Sequence, residues 1–355
     1  MVGIDAGGSR HYAGPVTAPH RLRLDTDALI ANWRTLDRLS GGAACGAAIK
    51  ADGYGLGATA VARHLTSAGC RDFFVATWAE AERLASLRLP LSVLHGVREE
   101  DVPAALSGIA RPVLNTDAQV ARWRAAGGGA CDVMVDTGMN RLGVSATAVR
   151  GGLLDGIVID TLMSHLACAD EHSAMNEVQR LAFADLRDAT GARRMSLANS
   201  AGIALGTAYA FDLTRPGLAL YGGVPRDELA GSIRQVAFPE AQVLQRRTVR
   251  PGETVGYNAT WTARRDTEVA ILNLGYADGY FRAFSDSGTA DGGALPVIGR
   301  VSMDLMALDV CAWPDLSEGD WVAIDFALPA AAKQSGMSQY ELLTSLGRRF
   351  ERRWR

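Results

Sequence analysis

Lys50 is the residue of this sequence best placed to act as a nucleophile. An apolar run of small residues, 43–49, ends at this lysine, and Gly53, Gly55 and Gly57 follow it. A short apolar run bounded by glycines is typical of a buried strand. Because burial disfavours the ammonium form, the pattern predicts an amine able to attack an aldehyde. A lysine at a strand end can also extend its charge into solvent, and the spacing alone leaves both interpretations open.

The turn after the lysine carries the groups of an anion site. Tyr54 supplies a phenol, and the neighbouring glycines leave backbone N–H groups accessible, as phosphate binding requires. Residues 53–58 also fit the loose G-x-G-x-x-G/A pattern of dinucleotide-binding turns. That pattern needs an acidic residue at the end of the next strand, but Asp72 stands at the start of the next apolar run. The dinucleotide interpretation is therefore the weaker one.

An arginine and a histidine farther along the chain are also suited to chemistry. Arg141 lies on a glycine-flanked turn, from which a guanidinium can bind a carboxylate or a phenolate oxygen. His165 precedes Asp170, Glu171 and His172. This spacing is weak evidence for a metal site, and a lone histidine in the core is the more ordinary interpretation.

Alternating strands and helices must position these residues. Besides the Lys50 strand, seven apolar runs are predicted as strands: 73–76, 91–95, 112–114, 132–136, 157–164, 195–197 and 211–214. Stretches with helical spacing separate many of them. Eight strand–helix repeats predict an α/β fold with a (β/α)8 barrel, whose active site forms at the carboxyl ends of its strands. Lys50, Arg141, His165 and Arg215 are all expected at those ends.

The pattern changes from about residue 239 to short β-rich segments separated by turns, which predict a mostly antiparallel β domain. A helix near the carboxyl end is predicted to begin at Ser338, with Glu341 completing a capping box. We therefore expect a loose leader over 1–20, the barrel over 21–238 and the β domain over 239–355.

Composition excludes several classes of function. The 355 residues carry a net charge of −3, which gives no electrostatic reason to expect binding to nucleic acid or to an anionic membrane. No apolar stretch is long enough to span a bilayer, and the first residues lack the apolar segment of a signal peptide. Five scattered cysteines predict reduced thiols, not disulfides or a metal site, and hence a cytoplasmic protein.

The segment KADGYGLGA, residues 50–58, resembles the lysine motif of the pyridoxal-phosphate-dependent alanine racemases. In that family the lysine holds the cofactor as a Schiff base and the tyrosine binds its phosphate. The resemblance therefore gives these roles to Lys50 and Tyr54. Leu56 stands where the family usually has histidine, so any contact made by that imidazole is absent.

Segment 136–143, DTGMNRLG, is similar to the family's Asp-Thr-Gly-Met-x-Arg-x-Gly motif. The match implies that Arg141 contacts the ring oxygen of the cofactor and the carboxylate of the substrate. The family commonly has a lysine that orients this arginine, but Met134 occupies its position here. Since a thioether makes no charge-assisted hydrogen bond, another group must hold Arg141.

Segments 199–201 and 215–222 match two further motifs of the family. The match implies that Ser200 and the backbone N–H groups of Gly217 and Leu218 hold the phosphate together with Tyr54. Arg215 would face the pyridine nitrogen of the cofactor. Because a guanidinium is always protonated, it donates to that nitrogen and leaves it without a proton.

Segment 255–261 resembles the part of the family that bears its second base, Tyr257. A phenol has a pKa of about 10, so Tyr257 needs a neighbour that lowers it. The family uses a histidine, here His165, to bridge this tyrosine and the arginine at Arg215. The cationic end of that chain would lower the pKa of the phenol.

The last motifs imply a site shared between subunits. Tyr276 would lie at the substrate entrance, and Met303 would donate its backbone N–H to the substrate carboxylate. In the family Tyr257 and Met303 act on the active site of the other subunit, which implies a homodimer. The alignment also places Trp354 where the family has a tyrosine near the catalytic one.

The resemblance implies an isomerase of D-alanine biosynthesis that interconverts L- and D-alanine by a two-base mechanism. Lys50 and Tyr257 would be the bases, pyridoxal 5'-phosphate the cofactor and a small amino acid the substrate. A racemase of serine or of another small amino acid would share every motif. A non-catalytic homologue that binds the cofactor would keep Lys50 and Tyr54 without needing Tyr257 or His165.

Overall fold

A computed structural model describes residues 2–4, 10–12 and 17–355. It divides the chain into two compact units. The barrel unit comprises residues 23–238, 326–346 and 354–355, and the β unit comprises the described residues up to 22, then 239–325 and 347–353. The domain division after residue 238 stays a prediction. Within the described residues, no helix is long and apolar enough to cross a bilayer.

The helices and strands are short and alternate through the first two thirds of the chain. The helices are α1 (Thr26–Leu39), α2 (Lys50–Tyr54), α3 (Ala58–Ala68), α4 (Trp78–Leu84), α5 (Val102–Leu106), α6 (Asp117–Ala125), α7 (Ala146–Arg150), α8 (Met175–Ala184), α9 (Ser200–Ala204), α10 (Leu328–Ser335) and α11 (Gln339–Thr344). The strands are β1 (Val2–Ile4), β2 (Arg10–Tyr12), β3 (His20–Leu24), β4 (Ala44–Cys45), β5 (Ala47–Ala48), β6 (Phe73–Val75), β7 (Leu91–Val93), β8 (Arg111–Leu114), β9 (Cys131–Asp136), β10 (Val144–Ser145), β11 (Ile159–Met163), β12 (Arg194–Ser196), β13 (Leu213–Thr214), β14 (Ala237–Val249), β15 (Thr254–Val255), β16 (Trp261–Thr262), β17 (Thr267–Leu272), β18 (Thr289–Ala290), β19 (Leu295–Ile298), β20 (Met306–Asp309), β21 (Trp321–Ala323) and β22 (Glu351–Trp354). Short 3₁₀ turns span Ala85–Leu87, Glu99–Asp101, Thr207–Tyr209, Leu218–Tyr221, Asp227–Leu229, Tyr257–Ala259, Tyr276–Asp278 and Arg282–Phe284.

Part of the predicted loose leader, residues 1, 5–9 and 13–16, lies outside the described residues. Strands β1 and β2 pair antiparallel with each other. Strand β3 already begins at His20, inside the range predicted as leader.

The barrel unit is built on parallel strands that close into a ring. Strands β5, β6, β7, β8, β9, β11 and β12 are neighbours in that order, and β13 pairs parallel with β4. Two backbone hydrogen bonds join the segments around β12 and β13. The N–H of Asp212 donates to the Met195 carbonyl oxygen (3.0 Å), and that of Arg215 donates to the Ala198 carbonyl oxygen (2.8 Å). The predicted (β/α)8 barrel, followed by a mostly antiparallel β domain, is confirmed.

Gly46 interrupts the first stave of the barrel between β4 and β5. A Cβ atom at this position would lie 2.8 Å from the Asp72 carbonyl oxygen and 2.8 Å from the Phe74 ring. Those distances are shorter than van der Waals contact, so only glycine allows the neighbouring strand β6 to approach this closely. The lysine predicted at the end of this strand follows β5 by two residues.

The chain makes a left-handed turn directly after Lys50. Ala51, Asp52, Gly53 and Tyr54 have φ values of 52°, 54°, 65° and 55°. For residues that carry a Cβ this conformation costs roughly 1–2 kcal/mol each. Asp52 accepts a hydrogen bond from the backbone N–H of residue 58 (2.9 Å), which links the turn to the start of α3. Contacts outside the turn must therefore compensate for its strain.

The β unit contains a mostly antiparallel sheet in the order β18-β19-β20-β17-β14-β3-β22, with β21 also pairing with β14. Its core is a cluster of buried apolar side chains against which Trp261 and Ile271 pack: Val249, Val255, Ala263, Val269, Ile298 and Ala307. Along β17, Thr267 and Val269 are buried on one face of the strand, and Ala270 and Leu272 are buried on the other.

Candidate active site

A cavity of about 810 Å³ opens within the barrel unit at the carboxyl ends of the strands. It is lined by all eight barrel residues for which a role was predicted: Lys50, Tyr54, Arg141, His165, Ser200, Arg215, Gly217 and Leu218. Its volume is that of a site for a cofactor or a small ligand. The individual roles of these residues stay predictions.

The Lys50 amine lies among cationic neighbours. Burial lowers its pKa most, Arg141 and Arg215 lower it further, and the Glu80 carboxylate opposes them. These effects favour the neutral amine, which is the nucleophilic and proton-accepting form.

One end of the cavity combines a phenol, a hydroxyl and glycine backbone. The Tyr54 ring stacks on Tyr221 with ring centroids 4.8 Å apart, and burial raises the pKa of the Tyr54 phenol. Any side chain at Gly217 would collide with the Tyr54 hydroxyl. The Ser200 hydroxyl accepts hydrogen bonds from the backbone N–H groups of Gly217 (2.9 Å) and Ala219 (3.1 Å). These converging groups fit an anion such as phosphate.

Arg215 is buried and its guanidinium has two fixed acceptors. It donates to the Ser196 hydroxyl, and its Nη2 donates to the Ser164 carbonyl oxygen at 2.6 Å. Burial lowers its pKa to about 10, while the Asp132 carboxylate opposes the shift. Arg215 therefore remains a cation at neutral pH and can act only as a hydrogen-bond donor there.

His165 is a neutral imidazole at neutral pH. Its pKa is lowered to about 3, mainly by burial and then by Arg215, Arg141 and Lys50. Its backbone is held by Gln179 on α8, whose Nε2 donates to the His165 carbonyl oxygen at 3.0 Å. Sequence patterns did not single out Gln179, because a glutamine on an amphipathic helix gives no signal of a buried contact.

The Arg141 turn is fixed through the backbone. The Asp136 carboxylate accepts hydrogen bonds from the N–H groups of Gly138 (2.8 Å) and Arg141 (3.2 Å). Met134 lines the cavity at the position where the resemblance leads one to expect a lysine. The turn itself is thus held without that lysine.

The residues behind two alternative interpretations of the sequence have other partners in the structure. Asp72, the candidate for a ribose, is bound instead by Arg194 through hydrogen bonds of 2.8 and 3.1 Å, at the amino end of β6. His172 faces Arg226, with 3.3 Å between the ring Nδ1 and the guanidinium. The described residues contain no cluster of ligands suited to a metal ion.

Three predicted site residues belong to the β unit and do not line the cavity in the barrel unit. Tyr257 lies on a 3₁₀ turn with 65% of its surface exposed, and Met303 is 54% exposed. The backbone N–H of Tyr276 donates to the Ser302 carbonyl oxygen at 3.1 Å, which holds it beside the Met303 segment. More than half of the surface of Tyr257 and of Met303 is thus open to solvent in the described part of the chain.

Trp354 does not line the cavity, and Tyr340 on α11 does. Trp354 packs on His64 with ring centroids 5.0 Å apart, whereas the Tyr340 ring lies 6.5 Å from that of Tyr54. Tyr340 directly precedes the glutamate of the predicted capping box, a place that gave no functional signal.

The lining of the cavity is rich in positive charge. Arg141 and Arg215 supply two cations beside the Lys50 amine, against the carboxylates of Asp136 and Asp170. The Asp136 carboxylate is already bound to backbone N–H groups. An anionic ligand carrying a phosphate or a carboxylate therefore suits this lining.

Comparisons with known proteins agree with this chemistry. A family profile for the N-terminal domain of alanine racemase matches residues 24–225, and one for its C-terminal domain matches residues 236–354. The chain is 42% identical to an alanine racemase of Acidiphilium cryptum, covering 93% of this chain and 97% of that protein. It is 41% identical to a catabolic alanine racemase of Mesorhizobium japonicum, covering 94% and 92%. A crystal structure of alanine racemase from Bartonella henselae with covalently bound pyridoxal phosphate superposes with a TM-score of 0.87 at 32% identity, covering 96% of this chain and all of that one.

Proposed function

The chain belongs to the alanine racemase family, and from this premise we propose that it interconverts L- and D-alanine with pyridoxal 5'-phosphate bound to Lys50. The observation that carries the proposal is that one cavity holds an amine of lowered pKa, an anion cradle and two guanidinium cations. The reaction makes the protein an isomerase.

The lining residues fit this cofactor. Tyr54, Ser200 and the backbone of Gly217 and Leu218 would hold its phosphate, and Arg215 would donate to its ring nitrogen. Arg141 would bind the ring oxygen and the substrate carboxylate. Bound pyridoxal phosphate supplies an electron-withdrawing group that makes the α-proton of the amino acid more acidic.

Two bases on opposite faces of the substrate would move the proton. The Lys50 Nζ removes or returns it on one face, and the Tyr257 Oη does so on the other, which inverts the centre. The neutral His165 would accept a hydrogen bond at one ring nitrogen and donate at the other, as a bridge between Tyr257 and Arg215 requires. The lowered pKa of Lys50 supports its part in this scheme.

We propose that Tyr257, Tyr276 and Met303 complete the site of a partner subunit in a homodimer. The exposure of Tyr257 and Met303, together with Leu305 at 39%, supports a surface that another chain covers. Sedimentation analysis should give twice the mass of the chain at micromolar concentration, and a strict monomer with full activity would contradict the shared site. The five cysteines are all free thiols, which supports a cytoplasmic location.

The purified protein tests the proposed activity directly. Incubation with L-alanine and pyridoxal phosphate should produce D-alanine until the two enantiomers are equal, as measured by chiral chromatography. A panel that includes L-serine should be turned over more slowly than alanine. No turnover of alanine alongside rapid turnover of another amino acid would assign a different substrate.

A further inference from the structure

We propose that Glu80 is a positioning residue for Lys50. Its carboxylate ties the left-handed turn that begins directly after Lys50 to the backbone that follows strand β6. Glu80 does not line the cavity; it acts through the backbone around Lys50 and through the charge of its carboxylate. The inference rests on the proposed function of Lys50. The test distinguishes a failure of the positioning role from a failure of the proposed activity.

Both carboxylate oxygens of Glu80 are used, on two different segments. Oε1 accepts from the backbone N–H of Ala51 at 2.6 Å, the residue directly after Lys50. Oε2 accepts from the N–H groups of Ala76 (2.7 Å) and Thr77 (3.2 Å), just after β6. The carboxylate therefore links the first residue of the turn to the segment that follows strand β6 of the barrel.

The turn needs such an external anchor. Ala51 and Asp52 have positive φ although both carry a Cβ, so neither prefers the conformation that it adopts. A carboxylate that accepts from backbone N–H groups makes charge-assisted hydrogen bonds, which are stronger than those between neutral groups. Strand β6 is fully buried, so the second end of the bridge is fixed by the core.

Glutamine cannot replace this carboxylate. Its amide has one acceptor oxygen and its nitrogen is a donor, so it can satisfy Ala51 or the pair at 76–77 but not both. The substitution also removes the negative charge that opposes Arg141 and Arg215 at Lys50. His165, which also interacts with Lys50, is neutral at neutral pH. Glu80→Gln should therefore loosen the turn and make the amine less basic.

The lysine content of the chain makes a precise test possible. The sequence contains two lysines, Lys50 in the cavity and Lys333, which is exposed on α10. In the cofactor-free full chain, the rate at which each is methylated by formaldehyde and cyanoborohydride can be followed across pH by peptide mass spectrometry. Lys333 is an internal reference in every sample.

In E80Q, the pH midpoint of Lys50 labelling should move to lower pH while that of Lys333 stays constant. The dissociation constant of pyridoxal phosphate should rise about tenfold or more, the loss expected for a charge-assisted hydrogen bond. E80D keeps the charge but reaches less far, so it should retain the Lys50 midpoint and still bind the cofactor more weakly. E80D carries the affinity test if E80Q does not fold.

Thr77→Ala is the matched control. The Thr77 hydroxyl accepts from the Glu80 N–H at 3.3 Å as the cap of α4, and its removal leaves the Glu80 carboxylate in place. T77A should lower the melting temperature without moving the Lys50 midpoint or the cofactor affinity.

The proposal is overturned if E80Q and E80D bind the cofactor as tightly as the wild type, or if T77A changes the Lys50 midpoint as much as E80Q does. An altered Lys50 midpoint in E80Q, in a protein that does not racemise alanine, would support the positioning role and reject the proposed activity. If the wild type racemises alanine but E80Q has unchanged Lys50 labelling and cofactor affinity, the proposed activity is supported and the positioning role is rejected.

Discussion

The two ends of the barrel use charge in opposite ways. At the carboxyl ends of the strands, Lys50, Arg141 and Arg215 line one cavity. At the amino ends, three arginines face three aspartates in a network: Arg194 binds Asp72 (2.8 Å) and Asp160 (2.9 Å), Arg193 binds Asp160 (2.6 Å), and Arg111 lies 3.4 Å from Asp132 and 3.3 Å from Asp160.

The difference shows how one scaffold separates stability from reactivity. At the amino end, opposite charges face each other, and the arginines lower the pKa of Asp160, although burial raises that of Asp132. At the carboxyl end, burial and neighbouring cations lower the pKa of Lys50 and that of His165, which favours the neutral, proton-accepting form of each. Changes at the carboxyl end should therefore affect turnover, and changes at the amino end should affect unfolding.

The largest effect is expected for Lys50→Ala. Racemisation should fall on the order of 10⁴-fold or more, because the variant loses both the covalent anchor and one base. The visible absorption of the bound cofactor should disappear, while the urea midpoint stays close to that of the wild type. Lys333→Ala, which removes the other lysine, should change neither. Persistence of the visible band in K50A would reject the assignment of Lys50.

Tyr257→Phe tests the part of the site that the barrel unit does not supply. Loss of one base should slow proton abstraction from one enantiomer by about 10²- to 10⁴-fold and from the other much less. Solvent deuterium incorporation into each enantiomer measures this asymmetry. Tyr209→Phe, at a tyrosine whose hydroxyl donates to Glu177 at 3.2 Å, is the control and should have no effect. Equal losses for both enantiomers would contradict the two-base scheme.

Arg194→Met tests the amino end. It leaves Asp72 and Asp160, both largely buried, without their shared partner, so the free energy of unfolding should fall by about 3 kcal/mol. Arg193→Met removes a more exposed partner of Asp160 and should cost about 0.2–1 kcal/mol. Urea unfolding measures both. A lower kcat in folded R194M, with unchanged stability, would break the separation between the two ends.

The smallest effect is expected in how the free energy of unfolding changes at acid pH. Burial alone would raise the pKa of Asp160, but Arg193, Arg111 and Arg194 outweigh it and lower the pKa from 3.8 to about 2. Because the unfolded chain then binds the proton more tightly, this contribution is complete above the unfolded pKa and is lost as pH falls from about 4 to 2. Asp160→Asn should flatten that part of the unfolding curve. An unchanged slope in D160N would show that other carboxylates dominate acid unfolding.

Local patterns predicted much of the molecule. The capping box at Ser338 and Glu341 is present, because both partners lie within one helical turn. The barrel followed from alternating apolar runs, since strand ends bring Lys50 and Arg215 to one face whatever the loops do.

Features that depend on distant contacts could not be predicted from the sequence. The left-handed turn at Ala51 and Asp52 defies the intrinsic preference of both residues, and its anchor at Glu80 is 29 positions from Ala51. The place of Tyr340 in the cavity wall likewise depends on where α11 packs, which no motif in its own segment reveals.

Proton exchange at the α-carbon of alanine is the most direct test of the carboxyl-end cavity as the site of chemistry. In deuterated buffer with pyridoxal phosphate, the wild-type protein should convert L-alanine into both enantiomers carrying deuterium at Cα, and K50A should leave the α-proton in place. Exchange that continues in K50A, or its absence in the cofactor-loaded wild type, would contradict the account.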